Sequence, residues 1–260
     1  SFFFTKIDNL EDINSPKTNE INKKILNKNL LFKKYYIESY KIFKKELPKR
    51  NGDDLKILEI GSGAGFIKRF IPNVITSEII KLKDIDIQLD AKNIKFNNNY
   101  FDAIILLNVF HHISDAEIFL KECNRVLKKN GVILMIEPAN TWFSRIIYKN
   151  FHHEEFNEFS NWKLKKGGRL SEANQALPYI IFERDLNIFN KMFKNFEIVK
   201  KYKFKPFLYL LSGGFSYKTI FNNYFFFVII SVVEFFLIPF NKLLGLFMFI
   251  KIKKIDNQIN

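Results

Sequence analysis

Leu58-Glu59-Ile60-Gly61-Ser62-Gly63-Ala64-Gly65, residues 58–65, is the stretch from which the fold of this chain follows. It overlaps an apolar run, residues 55–60, that predicts a buried strand leading into a glycine turn. Glycines at the carboxyl end of a strand let the backbone turn sharply and approach a ligand, because they carry no β-carbon. A cofactor is therefore expected at this turn, although turn geometry alone would also explain the glycines.

The spacing of these glycines separates one kind of nucleotide site from another. A dinucleotide fingerprint, G-x-G-x-x-G, that started at Gly61 would need a glycine at position 66, where the chain has Phe66. A phosphate loop is excluded as well, since no Gly-Lys-Ser/Thr follows. The G-x-G-x-G spacing, preceded by Glu59, therefore disfavours NAD.

Strands and helices alternate outward from the turn. Apolar residues in 18–47 recur at helical spacing, and residues 66–70 and 116–127 also predict helices. Short apolar runs predict strands, and they lie at 74–77, 85–89, 101–107 and 131–137. This alternation predicts an α/β fold with a mostly parallel, doubly wound sheet. Residues 1–54 are interpreted as an N-terminal helical extension and residues 55–260 as the main domain.

The segment from Glu59 to Gly65 resembles the first motif of class I S-adenosylmethionine-dependent methyltransferases, of the small-molecule, type 11-like kind. Further matches follow in that family's order: Thr76-Ser77-Glu78, Asp90-Ala91, residues 101–112, and Arg125-Val126-Leu127-Lys128 with residues 131–138. Together they cover about residues 56–138. The resemblance implies a Rossmann-like, seven-stranded, mostly parallel sheet, with residues 196–204 and 247–254 as its sixth and seventh strands. It also implies S-adenosyl-L-methionine as the methyl donor.

The resemblance further implies which residues hold the cofactor. This cofactor-binding set comprises Glu59, Gly61, Ser62, Gly63, Gly65, Glu78, Asp90, Ala91 and Asn108. Glu78 would hold the ribose hydroxyls, and Asp90 would accept a hydrogen bond from the adenine amine. Each has a plainer alternative, because Glu78 would alone be a solvated surface carboxylate and Asp90 could cap the turn at 91–93.

Two histidines follow the predicted fourth strand. Methyl transfer to a hydroxyl or an acidic carbon needs a base, and His111 is predicted to be that base, whereas His112 is expected to anchor the turn. Enzymes of this fold that methylate amino groups of bases or glutamine commonly carry Asn/Asp-Pro-Pro-Tyr/Phe here, while this chain has Asn108-Val109-Phe110-His111. The departure favours small-molecule, sugar, lipid or quinone-like acceptors.

The region after the predicted fifth strand is expected to build the acceptor pocket. Residues 139–195 have no regular pattern and are interpreted as an acceptor-side lid. The candidate acceptor contacts in this region are His152, His153, Arg184 and Asp185. The contiguous His152-His153-Glu154-Glu155 contains metal-ligand types, but its spacing matches no standard site, so no metal is expected.

A strongly apolar stretch lies near the C-terminus. Residues 208–246 are predicted to form an apolar helical insertion, in which residues 224–239 carry one charge, Glu234. The run is long enough to raise the question of a membrane span, but flanking strands in one sheet argue against a single crossing. Three interpretations remain: a helix pair broken at Pro239 in the membrane interface, a lid over an apolar acceptor, or a dimer surface. Peripheral membrane contact through residues 221–250 is favoured, and the oligomeric state is left open.

Composition limits the partners. The formal net charge is +14, which would suit a polyanion, but the lysines are scattered among Asn and Ile without a dense basic tract. Nucleic acid is therefore not expected. The single cysteine, Cys123, excludes an internal disulfide and favours a cytoplasmic location, at most peripheral at the inner face of the membrane.

The predicted function is methyl transfer from S-adenosylmethionine to a small-molecule or lipid-linked acceptor, in cell-envelope polysaccharide or quinone synthesis. RNA methylation and a catalytically silent, cofactor-binding scaffold at the membrane are the alternatives.

Overall fold

The computed structural model describes residues 4–6, 15–49, 55–152, 154–164 and 173–255. Within these ranges the strands are β1 (Phe4–Lys6), β2 (Ile57–Ile60), β3 (Val74–Glu78), β4 (Ile87–Gln88), β5 (Phe101–Leu107), β6 (Leu127–Pro138), β7 (Phe196–Phe204), β8 (Tyr217–Thr219) and β9 (Phe247–Lys254). The α-helices are α1 (Pro16–Lys28), α2 (Leu30–Glu46), α3 (Ala116–Val126), α4 (Trp142–Phe151), α5 (Leu177–Tyr179), α6 (Leu186–Met192), α7 (Leu208–Ser212), α8 (Tyr224–Phe236) and α9 (Asn241–Leu244).

Seven strands form one sheet in the order β4-β3-β2-β5-β6-β9-β7. All neighbours are parallel except β9, which runs antiparallel to both β6 and β7. The chain moves outward from β2 to β4 on one side and then returns to β5 on the other side of β2. A ligand crevice is expected at such a reversal, outside the carboxyl ends of the strands. The predicted Rossmann-like, mostly parallel sheet is confirmed.

The centre of the sheet is covered on both faces. Every residue of β5 is buried, as is every residue of β2. Because successive side chains of a strand point to opposite faces, burial throughout means that other elements pack on both sides. The central strands are therefore rigid supports for whatever follows their carboxyl ends.

The N-terminal helices pack into the same core. Asn29 separates α1 from α2, and its side-chain oxygen accepts the Phe32 backbone N–H at 3.0 Å, which caps α2. The Asn29 amide donates to the Ser212 carbonyl at 2.7 Å, so this cap is also joined to the C-terminal insertion. β1 adds a strand that the sequence did not predict, and it pairs antiparallel with β8 of that insertion.

Three local predictions differ from the structure. The helix predicted at 66–70 is a single 3-10 turn, Ile67–Arg69, because Pro72 disfavours helical backbone at the residue before it. The strand predicted at 85–89 is reduced to Ile87–Gln88. Residues 139–195 contain helix α4, which begins with a capping box between Thr141 and Ser144.

The apolar insertion joins β7 to β9. Phe204 pairs with Phe247, so the insertion leaves and re-enters the sheet at neighbouring positions. Among the described residues, no single helix is long and apolar enough to cross a membrane. α8 and residues 238–244 pass that test only as a pair, bent by 64° at the predicted break near Pro239.

Candidate cofactor site and acceptor-side cluster

The glycine turn has a backbone that other residues would not tolerate. Gly61 and Gly63 adopt left-handed φ angles of +67° and +47°. A β-carbon on Gly61 would lie 2.6 Å from a methyl of Val109, and one on Gly65 would lie 2.9 Å from the Ser62 carbonyl oxygen. The turn after β2 is therefore held against the segment after β5, where the strand order reverses.

Ser62 fastens the turn to the neighbouring strand. Its backbone N–H donates to the Ser77 carbonyl at 2.9 Å, and its hydroxyl accepts the Ser77 N–H at 3.2 Å. The hydroxyl also hydrogen-bonds the Glu59 carboxylate. These contacts give Ser62 a positioning role, and its predicted direct contact with a cofactor stays a prediction.

Glu59 is a buried carboxylate with an unused oxygen. It is the second-last residue of β2 and is 2 % exposed, and its Oε2 atom has no hydrogen-bond partner among the described residues. Burial raises the pKa of Glu59 to about 7, the Glu78 carboxylate adds to this effect, and the Ser62 hydrogen bond opposes it. A buried polar atom left unpaired is costly, so a ligand that satisfied it would gain binding energy.

Glu78 and Asn19 lie beside Gly63. A β-carbon on Gly63 would be 3.8 Å from Glu78 Oε2 and 3.9 Å from Asn19 Oδ1, in ordinary contact with both. Glu78 is buried, and its Oε1 atom accepts the Ile79 N–H at 2.8 Å. The Nδ2 atom of Asn19 is buried without a partner in the described part of the chain. Helix α1 thus adds an unused donor close to the turn, which the sequence argument missed.

Asp90 and Ala91 follow β4 on the same edge of the sheet. The Leu89 N–H donates to the Glu78 carbonyl at 2.8 Å, which places Asp90 just beyond Glu78. Asp90 is partly exposed, and its Oδ1 atom accepts the Lys92 N–H at 2.8 Å. Asp90 therefore caps the turn, and its Oδ2 atom is 4.0 Å from the Lys92 ammonium. Its predicted hydrogen bond to the adenine amine stays a prediction.

Asn108 directly follows β5 and has a left-handed φ of +55°. Asn tolerates this conformation better than most residues. Its side-chain amide donates to the Tyr35 hydroxyl at 3.1 Å, so α2 reaches the edge of the sheet here.

His111 lies in a 3-10 turn after β5 and is 3 % exposed. Its Nδ1 atom is 2.6 Å from Glu137 Oε2, and the other oxygen of Glu137 accepts the N–H groups of Val109 and Phe110, each at 2.8 Å. Glu137 thus holds both the turn and the imidazole. The sequence analysis did not predict a role for Glu137. Its position near the carboxyl end of β6, where ligands bind in such sheets, could have indicated one.

A second carboxylate, Glu154, faces the histidines from the other side. Its Oε2 atom is 3.4 Å from His111 Nε2 and its Oε1 atom is 3.6 Å from His112 Nε2. Gln175 donates to Glu154 Oε2 at 2.9 Å and lies 2.7 Å from His152 Nδ1. The predicted lid residue His152 therefore joins this cluster.

The electrostatics of the cluster favour a charged pair. Burial opposes the imidazolium form, but Glu137 and Glu154 outweigh it and raise the pKa of His111 to about 9. The pKa of Glu154 lies well below its usual range, because His111 and the neighbouring histidines outweigh its burial.

The other predicted acceptor contacts are engaged elsewhere. Arg184 pairs with Asp185 at 2.8 Å and donates to the Glu158 carbonyl at 2.6 Å. Asp185 also accepts the indole N–H of Trp162 at 2.9 Å. These contacts join different parts of the segment 139–195 to one another. A role for Arg184 and Asp185 in binding the acceptor stays a prediction. His153 lies outside the described residues.

The match to a known family covers the turn and the strands around it. Residues 58–135 match the family model described as a methyltransferase domain. The chain carries a methyltransferase domain. It is similar to a structure of an S-adenosylmethionine-dependent methyltransferase from Thermotoga maritima, with a TM-score of 0.51 and 17 % identity over 90 % of this chain and 99 % of that chain. At this identity the likeness establishes the S-adenosylmethionine-dependent methyltransferase fold.

Curated relatives match the methyltransferase domain over part of their length. The chain is 35 % identical over 144 residues to the demethylmenaquinone methyltransferase of Thermotoga maritima, covering 48 % of this chain and 60 % of the relative. It is 28 % identical over 121 residues to the ubiquinone biosynthesis O-methyltransferase of Pelagibacter ubique, covering 40 % and 49 %. A third relative, 2-methyl-6-phytyl-1,4-hydroquinone methyltransferase 2 of Oryza sativa, is 29 % identical over 136 residues, covering 44 % and 38 %. The matches therefore span between 38 % and 60 % of the length of these relatives.

The glycine turn and helix α1 beside it have atoms suited to S-adenosylmethionine. The cofactor carries a cationic amino group, a carboxylate and ribose hydroxyls. Glu59 Oε2 is an unused acceptor for a cation or a hydroxyl, and Asn19 Nδ2 is an unused donor for an oxygen. Gly63 leaves the space between Asn19 and Glu78 without a side chain. The residues present therefore fit the cofactor.

Proposed function

We propose that this protein transfers a methyl group from S-adenosylmethionine to a lipid-linked small molecule, with a quinol as the favoured acceptor class. The observation that carries the proposal is the glycine turn inside the matched methyltransferase domain, with the unused Glu59 oxygen beside it. The acceptor class is supported by the names of three relatives, which are quinone or hydroquinone methyltransferases.

The chain's own residues would align the donor. S-adenosylmethionine, when bound, supplies an electrophilic methyl group on a sulfonium. Gly61 and Gly63 let the backbone approach it, while Glu59 and Glu78 present carboxylates to its cationic and hydroxyl groups. Alignment of this kind supplies most of what an in-line transfer requires. Val109, which follows Asn108, lies against Gly61, and this supports an acceptor side near the end of β5.

Proton removal from the acceptor would fall to the His111 cluster. His111 with a pKa of about 9 is mainly imidazolium at neutral pH, so on its own it is a poor base. For His111 to take a proton, its Nε2 atom must first be freed from Glu154 and lose its own proton. The base role of His111 therefore depends on movement of Glu154 or on another group at that position.

A large apolar surface supports a lipid-linked acceptor. The described residues include 21 large apolar side chains that are exposed, and 11 of them lie in residues 224–243. Phe225, Phe235 and Phe236 are 67–71 % exposed. Concentration of apolar area on one segment is typical of a membrane or protein interaction site.

The inner face of the same helix is anchored by Glu234. This carboxylate is 6 % exposed and accepts the N–H groups of Phe207 and Leu208 at 2.9 and 2.8 Å. It also pairs with Lys205 at 3.1 Å. The one charge in the apolar run thus points inward, which leaves the outer face apolar.

The dimensions favour insertion into one leaflet. A 13-residue helix is about 20 Å long, shorter than the hydrocarbon core of about 30 Å. Both ends of the insertion return to the sheet, so α8 and α9 would lie in the interface. The protein would then work as a peripheral protein at the inner face of the membrane.

Methyl transfer is tested with radiolabelled S-adenosylmethionine and a panel of acceptors: demethylated quinols, sugar nucleotides and RNA. Label is expected in the quinol fraction. Transfer to RNA or sugar nucleotides alone would overturn the acceptor class. Cofactor binding without transfer to any acceptor would support the silent scaffold.

Membrane contact is tested by flotation with liposomes that contain anionic lipid. The triple variant Phe225→Ser, Phe235→Ser and Phe236→Ser should lose flotation. Phe159→Ser is the control, because Phe159 is 85 % exposed but lies outside the insertion. Equal flotation of the triple variant and the wild type, or no flotation of the wild type, would contradict membrane contact.

A further inference from the structure

Three potential metal ligands converge on one point next to the end of β5. His111, His112 and Glu154 each offer a ligand atom, and these atoms lie within 4.8 Å of one another. The distances from Glu154 oxygens to the Nε2 atoms of His111 and His112 are 3.4 and 3.6 Å. The ligands come from two segments more than forty residues apart in sequence, which is why the contiguous pattern at 152–155 did not predict them.

The ligand types suit a tetrahedral first-row cation. Bonds of about 2.0–2.1 Å to nitrogen and oxygen, at tetrahedral angles, place neighbouring ligand atoms roughly 3.3 Å apart. The two measured separations, 3.4 and 3.6 Å, are near this value but end on different oxygens of Glu154, so the carboxylate faces one histidine with each oxygen. Two histidines with one carboxylate are a known zinc ligand set that keeps one position open. Mg²⁺ and Ca²⁺ are disfavoured, because they prefer a shell of oxygen atoms.

The second shell needed for such a site is in place. Glu137 is buried and lies 2.6 Å from His111 Nδ1, so an N–H on that nitrogen donates to the carboxylate and leaves Nε2 for a metal. Gln175 donates to Glu154 at 2.9 Å and orients its carboxylate toward the histidines. Carboxylate–histidine–metal arrangements are typical of zinc sites.

We propose that His111, His112 and Glu154 form a divalent-cation site of the zinc type, with Glu137 as a positioning residue. The cation would lie between the Glu154 carboxylate and the Nε2 atoms of the two histidines. In the metal-bound protein His111 is a ligand and is not a general base. Metal binding does not rest on the proposed methyl transfer, because it requires neither the donor nor the acceptor.

The test is calorimetric titration of the chelator-treated, tag-free full chain with zinc chloride, followed by cobalt chloride with visible absorption as a second reporter. One zinc ion per chain is expected, and cobalt should give the intense absorption of a tetrahedral site. Glu154→Gln and His112→Ala should each weaken zinc at least tenfold, and Glu137→Gln by about 10- to 100-fold.

Glu155→Gln is the matched control, because it is the same substitution on the adjacent residue, whose side chain is exposed. Its zinc affinity should stay within twofold of the wild type. Circular dichroism of each variant separates lost ligands from lost folding, and Glu154→Gln is the conservative change should His112→Ala fail to fold. Zinc affinity equal in the wild type and in the Glu154→Gln variant, or no binding to the wild type, overturns the proposal. S-adenosylmethionine titrated into the same samples reports separately on the cofactor site.

Discussion

Replacing Glu59 by glutamine should make the protein more stable and a weaker binder of its cofactor. The substitution preserves the shape of the side chain and removes its charge. Burial raises the pKa of Glu59 from 4.5 to about 7, so ionisation in the folded protein costs about 3 kcal/mol. Because the folded pKa exceeds the unfolded one, this cost is absent below pH 4.5 and is complete above pH 7. The variant should therefore exceed the wild type in free energy of unfolding by about 3 kcal/mol at pH 8, and by little near pH 4.5.

Cofactor binding should respond in the opposite direction. A charge-assisted hydrogen bond contributes about 1.5–3 kcal/mol, so its loss should weaken S-adenosylmethionine by about 10- to 150-fold. If the bound state requires ionised Glu59, the affinity of the wild type for S-adenosylmethionine should decrease below pH 7, by up to about tenfold for each pH unit. The affinity of Glu59→Gln should not change with pH over the same range. Urea denaturation between pH 4.5 and 8 measures the effect on stability. Calorimetry between pH 5.5 and 7.5 measures the effect on affinity, because the amino group of the cofactor itself titrates only near pH 8.

Glu197→Gln is the control for this experiment, because Glu197 is an exposed carboxylate on β7, away from the glycine turn. It should change neither stability nor affinity by a measurable amount. The reasoning is refuted if Glu59→Gln has the wild-type stability at pH 8 and also binds S-adenosylmethionine with wild-type affinity.

Three further changes test the fold and the cluster. Gly61→Ala places a methyl group 2.6 Å from a methyl of Val109 at a left-handed φ, whereas the β-carbon of Gly63→Ala would make ordinary contacts. Calorimetric melting should therefore show a larger loss of stability for Gly61→Ala than for Gly63→Ala. Equal losses would contradict the close approach of Val109 to Gly61. Glu234→Ala leaves two backbone N–H groups without their acceptor and removes one of the two carboxylates that pair with Lys205, the other being Glu38. Urea unfolding should show a loss of about 3 kcal/mol, and a loss below about 1 kcal/mol would refute the anchoring role. In chelator-treated protein the pKa of His111 is raised to about 9, so protonation of His111 stabilises the fold fully below pH 6.5. The free energy of unfolding should fall as the pH rises through about 9. An NMR titration that gives His111 a pKa at or below 6.5 would contradict this prediction.

The central strands could be predicted from the sequence, because a strand that is buried on both faces consists of a continuous run of apolar residues. β5 and β9 were predicted with their observed bounds, and β2 and β3 to within two residues. Each of these strands is bounded by polar or turn-forming residues that mark its ends. The seventh strand depended on the family resemblance, because an antiparallel return cannot be derived from periodicity.

The glycine turn was located by sequence, but its partners were not. Gly61 and Gly63 have the left-handed backbone that their spacing indicated. Asn19 approaches them from a helix about forty residues earlier, and nothing in its local sequence marks that approach. Long-range contacts of this kind depend on how helices pack over the sheet, which a single sequence does not encode in a local pattern.

The acceptor side was the hardest to predict. Helix α4 was missed, because exposed Trp142 and Phe151 blur its amphipathic pattern. His111 and Glu154 were both noted, but their meeting depends on the return of the lid segment to the end of β5. The inward orientation of the Glu234 side chain could not be predicted either. It depends on the backbone N–H groups of Phe207 and Leu208, which lie in another segment of the chain.

Binding of S-adenosylmethionine to the full chain is the most direct test of the central claim. Calorimetry should give one site per chain, and Gly63→Leu should abolish binding, because the side chain fills the space beside Glu78 and Asn19. Gly214→Leu, at a similar left-handed φ of +54° in the C-terminal insertion, should keep the wild-type affinity. Absence of binding to the wild type, or unchanged affinity in Gly63→Leu, would contradict the account.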